Sequence, residues 1–188
     1  MAIGPPSGIP APPAENNVLQ NFSDATAGRS LQLYHCVASR TSAATTYVLA
    51  RDAGISSPTT TDVTGSTKEI NFDITINKST LISGTGYVDV TFNLNVNGTA
   101  KITFEIIHYD GSTETSLTGA IDTPTITVAG SESFKVPLSF TKKNFRVGDI
   151  LRLETILEGG AGDKNTLSHD PLTAGDELKL WVPVVNLE

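Results

Sequence analysis

The chain has 188 residues with ten prolines, sixteen glycines and one cysteine, so it can build one substantial core but no intrachain disulfide and no multi-thiolate metal site. Its formal net charge of -7 disfavours binding to nucleic acid and to anionic membrane surfaces. No segment approaches the roughly 20 apolar residues of a membrane-spanning helix, and no secretory signal is expected at the N-terminus.

The first thirteen residues contain five of the ten prolines and no charged side chain. Because proline fixes φ and removes a backbone donor, residues 1–29 are predicted to form an extended arm ahead of a domain at 30–188. Prolines also reduce the entropy lost on ordering, so the arm is expected to dock on a partner at low cost. The arm side chains expected to contact that partner are Ile3, Pro5, Pro6, Ile9, Pro10, Pro12, Pro13, Val18, Leu19 and Phe22.

Short strands are predicted from Leu31 onward, at "LQLYHCV" and "TYVLA". In the first of them Leu31, Leu33 and Val37 are in phase with His35, and this face is expected to lean inward. The stretch that follows, "DAGISSPTTTDVTGST", is rich in turn-forming residues and is predicted to be irregular.

Two segments alternate between apolar and polar residues with the period of 2 that is typical of a strand with one buried face. In "KEINFDITIN" the predicted core residues are Ile70, Phe72, Ile74 and Ile76. In "YVDVTFNLNVNG" they are Val88, Val90, Phe92, Leu94 and Val96. Asn97-Gly98 is a strong turn signal directly before "AKITFEIIHYDG", so residues 86–109 are predicted to form one long hairpin.

Further strands are predicted at "TPTITVAG", "SESFKVPLSF", "DILRLETIL" and "DELKLWVPVV". The count reaches eight or nine strands with no helix, which predicts an all-β fold, a two-sheet antiparallel β-sandwich of the jelly-roll type. Pro137 and Pro183 lack a ladder donor, so we expect them on edge strands or at bulges.

The sequence contains none of the short catalytic motifs of nucleophilic, phosphate-binding or zinc enzymes. His35 and His108 are expected to be structural, and His169 could act as an acid or base only beside a nucleophile. Glu154 and Glu158 lie about 13 Å apart on one strand, too far for the carboxyl pair of a glycosidase. No catalytic residue is therefore predicted, and the protein is expected not to be an enzyme.

Two loops carry the oxygen ligands that calcium prefers. "HYDGSTET" offers Asp110 and Glu114, and "GGAGDKNTLSHD" offers Asp163, Asn165 and Asp170. Neither follows the donor order of an EF-hand, and the same residue types are common in turns. Both loops are therefore interpreted as turns, and no metal or cofactor is predicted.

Trp181 is out of phase with Leu180 and Val182, so it is expected to face outward or to enter a subunit contact. Tyr34 is the other residue considered for an oligomer contact. Carbohydrate-binding β-sandwiches stack sugar rings on exposed aromatic side chains, but aromatic residues make up only 6% of this chain.

Residues 86–158 run through "GYVDVTFNLNVNG", "AKITFEIIHYDGSTETSL", "ESFKVPLSF" and "NFRVGDILRLETIL". This order resembles the jelly-roll virion proteins of tailed viruses of bacteria and archaea, especially head decoration, fibre and related capsid-surface proteins. The likeness is carried by the "YDGSTETSL" turn, residues 109–117, and by "FRVGDILRL", residues 145–153. It implies a non-enzymatic structural protein, often trimeric, seated on a shell of major capsid protein.

The function predicted on this basis is that of a capsid decoration protein that docks on the major capsid protein and stabilises the shell. It is expected to be a homotrimer on the virion surface, made in the host cytoplasm, with no nucleic-acid or membrane partner. The alternative is a carbohydrate- or receptor-binding β-sandwich module, and an enzyme ranks third.

Overall fold

The computed structural model describes residues 29–40, 45–51, 59–64, 67–159, 164–169 and 178–185. The strands formed by these residues are β1 (Arg29–Arg40), β2 (Thr45–Ala50), β3 (Thr59–Thr64), β4 (Lys68–Thr75), β5 (Thr80–Leu94), β6 (Ala100–Tyr109), β7 (Glu114–Ser116), β8 (Ile121–Asp122), β9 (Gly130–Phe145), β10 (Ile150–Gly159), β11 (Lys164–His169) and β12 (Lys179–Val185). A search of the same residues finds no helix suited to crossing a membrane. The ten contact side chains predicted for the arm lie outside the described residues.

The strands follow one hydrogen-bonded path in the order β3-β11-β5-β12-β1-β2-β4-β10-β6-β7, with β9 added beside β5 and β8 beside β6. Every described pairing between these strands is antiparallel except the one between β2 and β4, which meet through the single parallel pair Val48 and Asp73. The path therefore divides at this contact into a first layer around β5 and a second layer around β10.

Side chains from both layers pack into one hydrophobic cluster. Val88 and Leu138 enter it from the first layer, and Phe72, Phe104 and Leu153 enter it from the second, each with no exposed surface. Burial of a large apolar side chain contributes about 1.5–3 kcal/mol, so this shared core is the main source of stability. The predicted all-β sandwich is confirmed, with more strands than the eight or nine expected.

Alternation identified the buried faces of β4 and β10 correctly. Ile70 and Phe72 on β4 are buried, and on β10 Leu151, Leu153 and Leu157 are buried with at most 1% exposure. The residues between these buried positions, such as Arg152, remain partly exposed. The period of 2 is therefore sufficient to identify the buried face of a strand whose other face contacts solvent.

The predicted hairpin over residues 86–109 is wrong. β5 pairs with β9, β11 and β12, whereas β6 pairs with β7, β8 and β10 in the other layer. Gly98 does not adopt the positive φ that a two-residue hairpin turn requires. Instead its N–H donates to the carbonyl of Thr127 at 3.2 Å, and Asn97 accepts a hydrogen bond from the N–H of Ala129. The Asn-Gly segment thus carries the chain between layers.

The inward face predicted for β1 is also wrong. Leu33 is only partly buried, whereas Tyr34 and Cys36 are 3% and 0% exposed. The reason is the register with β12, which places Tyr34 opposite the buried Leu180. The buried side chains of the neighbouring strands determine which face of β1 lies in the core. The positions of the leucines in the sequence of β1 did not indicate this face.

Two irregular segments were misjudged. The segment "TPTITVAG" forms an isolated bridge between Ala100 and Ile126 instead of a strand of its own, and its last residue, Gly130, begins β9. Conversely, the turn-rich stretch contains β3, which adds to β11 at the end of the first layer. Short threonine-rich segments depend on an available partner edge, which local sequence does not reveal.

The two strand prolines occupy the predicted kinds of position. Pro137 lies on β9, whose only strand partner among the described residues is β5. Pro183 lies in the irregularity between Trp181 and Val184, where the register of β12 against β5 shifts. A missing ladder donor costs little at an edge or a bulge.

Candidate functional site

The outer side of the first layer carries a cross-strand group of aromatic and charged residues, which we call the aromatic face. It consists of Tyr87 and Asp89 on β5, Lys135 on β9, and Lys179 and Trp181 on β12. Tyr87 stands opposite Trp181, and Asp89 stands opposite both Lys135 and Lys179. These residues occupy the polar positions of the alternating strands, so they point away from the core.

Direct contacts hold the aromatic face in place. The indole Nε1–H of Trp181 donates a hydrogen bond to Oδ2 of Asp89 at 2.8 Å. The other carboxylate oxygen of Asp89 lies 3.6 Å from Nζ of Lys135, which also sits 5.3 Å from the ring centroid of Tyr87. One ring is fixed by a charge-assisted hydrogen bond and the other by a cation–π contact, so the pair is preorganised.

A shallow open depression of about 270 Å³ is lined by Asp89 and Lys135, the residues that contact these rings, and not by the rings themselves. Asp89, Lys135 and Lys179 line it at one end, and Thr91 and Ser133 line it further along the strands. The hydroxyls of Thr91 and Ser133 are 2.8 Å apart. The charged residues of the aromatic face therefore adjoin a hydroxyl pair of which Ser133 is exposed and Thr91 is buried.

A bulge sets the position of Trp181. Gly86 lies at this bulge on β5, and a Cβ at that position would collide with the backbone carbonyl of Trp181 and approach Cε2 of Phe140 to 2.7 Å. Only glycine allows β12 to come so close to β5 here. The close approach holds Trp181 on β12 opposite Tyr87 on β5.

The outer side of the second layer carries a carboxylate face formed by Asp73, Glu105, Glu114, Arg152 and Glu154. Glu154 on β10 stands opposite Glu105 on β6. Partial burial raises the pKa of Glu154, and the neighbouring negative charges, including that of Glu105, raise it further. Arg152 donates to both oxygens of Asp73 at 2.8 and 3.0 Å, and also to Glu114.

The structure thus brings together a carboxyl pair that differs from the pair of Glu154 and Glu158 considered from the sequence. Glu158 contacts Lys101 at 3.2 Å, and the residue beside Glu154 is Glu105 on the neighbouring strand. Only cross-strand register could have indicated this pair, and register is not visible in one strand. Among the residues that the structure describes, no three histidine, cysteine or acidic side chains are grouped to hold a metal ion.

A buried histidine–carboxylate pair joins β6 to the turn between β9 and β10. Nε2 of His108 lies 2.7 Å from Oδ2 of Asp149, and the two side chains are 4% and 11% exposed. The same oxygen accepts the backbone N–H of Arg146 at 2.8 Å. These bonds lower the pKa of Asp149, the one from His108 most strongly. The ring of Phe145 packs edge-on against His108, so the pair is enclosed.

The other two histidines are also buried. His169 on β11 is 1% exposed and makes edge contacts with Tyr47 and Phe72, where the layers meet. His35 is 8% exposed on β1. Burial of His35 and His108 agrees with their interpretation as structural residues, although sequence alone did not pair His108 with Asp149. His169 was expected in a turn and instead ends strand β11.

The "HYDGSTET" segment forms a turn around Asp110. Its Oδ1 accepts hydrogen bonds from the N–H groups of Ser112 and Thr113 and from the Ser112 hydroxyl. These bonds, that from Thr113 foremost, lower the pKa of Asp110 to about 2. Glu114 pairs instead with Arg152, so the two acidic residues of the segment serve different contacts. The side chains of Asp163, Asn165 and Asp170 lie outside the described part of the chain.

The residues considered for an oligomer contact have different surroundings. Trp181 is partly exposed on the aromatic face, while Leu180 and Val182 on either side of it are fully buried. Tyr34, by contrast, belongs to the core cluster and has little surface to offer a partner. An oligomer contact at Trp181 stays a prediction.

No family model and no curated protein matches the sequence. Solved structures of similar fold include the following three. A CocE/NonD family hydrolase from Staphylococcus aureus has a TM-score of 0.64 at 10% identity, over 85% of this chain and 37% of that one. An aminopeptidase from a marine sediment archaeon of the Thaumarchaeota has a TM-score of 0.55 at 8% identity, and the match covers 81% of this chain and 37% of that one. An α-amino acid ester hydrolase has a TM-score of 0.53 at 9% identity, and the match covers 82% of this chain and 36% of that one.

The prediction that the protein is not an enzyme is contradicted by these matches, because all three proteins are named as hydrolases or an aminopeptidase. The chain spans little more than a third of each of them. At this level of identity the likeness shows the fold alone, and any activity has to be argued from this chain's own residues.

Proposed function

We propose that the protein is a carbohydrate-binding β-sandwich module and that the aromatic face is its binding site. The observation that carries the proposal is the adjacent pair of Tyr87 and Trp181, held by Lys135 and Asp89 beside an open depression. The sequence alone gave a carbohydrate- or receptor-binding module as the alternative to a virion protein.

The chemistry of the face fits a sugar. The ring faces of tyrosine and tryptophan pack against the C–H groups of a pyranose and exclude water from them. Charged and hydroxyl side chains next to the rings can exchange hydrogen bonds with sugar hydroxyls, which need partners when they leave water. Because Asp89 and Lys135 already fix the rings, little entropy is lost when a ligand binds.

Intrinsic fluorescence offers a direct measurement, because Trp181 is the only tryptophan in the chain. We expect soluble oligosaccharides from a panel of common polysaccharides to change the Trp181 emission in a saturable manner. Calorimetry on Trp181→Ala should then show affinity reduced by about tenfold or more, since the ring contact is lost.

Tyr109→Ala is the matched control, because Tyr109 is a partly exposed aromatic residue on the second layer. It should bind with unchanged affinity. Absence of saturable binding across the panel, or an equal loss in both variants, would refute the proposal. Thermal melts of each variant separate lost binding from lost folding.

A capsid decoration function is a second proposal, favoured by the way the two segments that resemble virion proteins pack together. The "YDGSTETSL" and "FRVGDILRL" segments are joined by the ion pair of Glu114 with Arg152 and by the strand pair of Tyr109 with Ile150. They therefore form one structural unit at the edge of the second layer. Cosedimentation of the protein with capsid shells tests this function, and failure to bind any shell counts against it.

A further inference from the structure

The backbone of β12 places Trp181 on the aromatic face but does not by itself fix the direction of its ring. Leu180 and Val182, on either side of it, are fully buried, so the strand is anchored at this point. The tryptophan side chain is partly exposed on the outer side of the layer. Its two side-chain torsions can take several staggered combinations there, so one orientation of the ring requires a further contact.

Asp89 supplies that contact from the neighbouring strand β5. Its Oδ2 accepts the indole Nε1–H of Trp181 at 2.8 Å. An indole ring has one hydrogen-bond donor and no acceptor, so this bond uses the whole hydrogen-bonding capacity of the side chain. The part of Trp181 that remains for a ligand is the apolar face of the ring.

The carboxylate of Asp89 stands on a rigid element. The residue lies opposite Lys135 on β9 and opposite Lys179 on β12, so its strand is paired on both sides. Val88 and Val90, next to it in the chain, are at most 2% exposed. A short side chain on such a strand can hold a longer one in a defined direction.

The ion pair of Asp89 with Lys135 is the weaker of these two side-chain contacts. Nζ of Lys135 lies 3.6 Å from Oδ1 of Asp89, and the lysine side chain is 45% exposed. Ion pairs in contact with solvent contribute little, whereas a hydrogen bond to an ionised acceptor is strong and directional. Loss of the Asp89 carboxylate should therefore act mainly on Trp181.

On the basis of the proposed function, we infer that Asp89 is a positioning residue of the aromatic face, which acts on a saccharide through the orientation of Trp181. Without this carboxylate, the ring has to be ordered when the ligand binds. The cost of ordering one such side chain corresponds to an affinity about threefold to tenfold lower. Asp89→Asn keeps an oxygen acceptor for the indole N–H, so it should preserve the orientation.

The orientation can be measured on the full chain without any ligand. Because Trp181 is the only tryptophan, isotope-labelled protein gives a single indole N–H resonance in a nuclear magnetic resonance spectrum. In Asp89→Ala we expect this resonance to move upfield and its proton to exchange faster with water, because the hydrogen bond is lost. In Asp89→Asn it should stay close to the wild-type position. An unchanged resonance in Asp89→Ala would overturn the positioning role.

Calorimetry with a saccharide from the panel then relates orientation to affinity. Asp89→Ala should bind about threefold to tenfold more weakly than the wild type, and Asp89→Asn should recover most of this loss. In a Trp181→Ala background, Asp89→Ala should reduce affinity little further, because both substitutions remove the same contact. An equal reduction in both backgrounds would mean that Asp89 does not act through Trp181, and would overturn the positioning role.

Asp122→Ala is the matched control, since Asp122 is an exposed aspartate on β8 that pairs with Lys101 at 2.8 Å. It should change neither the indole resonance nor the affinity. Thermal melts of every variant separate lost binding from lost folding. Absence of binding by any saccharide would overturn the proposed function and the positioning role with it, whereas an unchanged indole resonance would overturn the positioning role alone.

Discussion

Asp149 connects three parts of the chain through its carboxylate and its backbone carbonyl. It accepts bonds from His108 and from the N–H of Arg146, while its backbone carbonyl accepts the N–H of Ile76 at 2.8 Å. We expect Asp149→Asn to lower the free energy of unfolding by about 1–3 kcal/mol, because a buried polar contact loses its charge. Urea denaturation of the two proteins at pH 7 measures this difference.

A double-mutant cycle shows whether His108 is the partner responsible. The variant Asp149→Asn with His108→Gln should lose less stability than the sum of the single losses, since both substitutions remove the same contact. Strict additivity would contradict a direct pair.

The stabilisation by Asp149 depends on pH in a defined direction. Hydrogen bonds lower its pKa in the folded protein below the usual 3.8, so the folded state favours the ionised form. The benefit is therefore fully present above about pH 4 and is lost as the pH falls through the folded value. Below that range the melting temperatures of the wild type and Asp149→Asn should converge.

The direction in which a side chain points was predictable where the residues on either side of it in the sequence form the buried face of the strand. Trp181 was expected to face outward because Leu180 and Val182 alternate with it, and it is partly exposed. The contact between His108 and Asp149 was not predictable, because no spacing rule links residues on different strands. Tyr34 was misjudged for the same reason, since β12 decides its burial.

At the level of the strands, repulsion across β10 gives a second prediction. Burial and the charges of Glu69 and Glu105 raise the pKa of Glu154 above its usual 4.5. A raised carboxyl pKa means that the folded state disfavours ionisation, so stability is lost as the pH rises from 4.5 through the folded value. We therefore expect Glu154→Gln to melt at a higher temperature at pH 7.

The gain should shrink as the pH falls through the folded value and should vanish below 4.5, where Glu154 becomes protonated in both states. Glu132→Gln is the control, because Glu132 is an exposed carboxylate on β9 outside this face. A comparable rise in that variant would mean that the effect comes from the net charge instead. Differential scanning calorimetry at several pH values measures both.

Alternation predicted the strands with one buried face, but it carried no information about partners. β4 and β10 were predicted with the correct inward residues and pair with each other. β5 and β6 were also predicted as strands, although Val96, predicted as a core residue, lies beyond the end of β5 and is 47% exposed. The Asn97-Gly98 turn signal then assigned the two strands the wrong partners. Both candidate faces depend on such partners, so they emerge only with the cross-strand register.

For the whole molecule, the arm predicted from the sequence leads to a prediction about truncation. Five prolines in the first thirteen residues block a helix and remove ladder donors, so the arm is expected to lie outside the domain at 30–188. Removal of residues 1–20 should therefore leave the melting temperature nearly unchanged. If the predicted arm holds a homotrimer together, light scattering should show the trimer mass for the full chain and the monomer mass for the shortened one.

A full-length monomer would contradict the predicted trimer, and a shortened trimer would contradict the role of the arm. A large fall in melting temperature would mean that the arm belongs to the core. At this scale the fold class was available from strand count and the absence of helix signals. The function was not, because folds of this kind occur in proteins named for hydrolysis, and a site must be argued separately.

The pairing of β1 with β12 has a consequence for how the protein is made. Arg29 stands opposite Val185, so a central strand of the first layer waits for a partner that leaves the ribosome almost a whole chain later. Closing so large a loop is entropically costly and slows folding. Until β12 arrives, one edge of β1 and one edge of β5 stay open to other nascent chains, and a chaperone that covers strand edges would protect them.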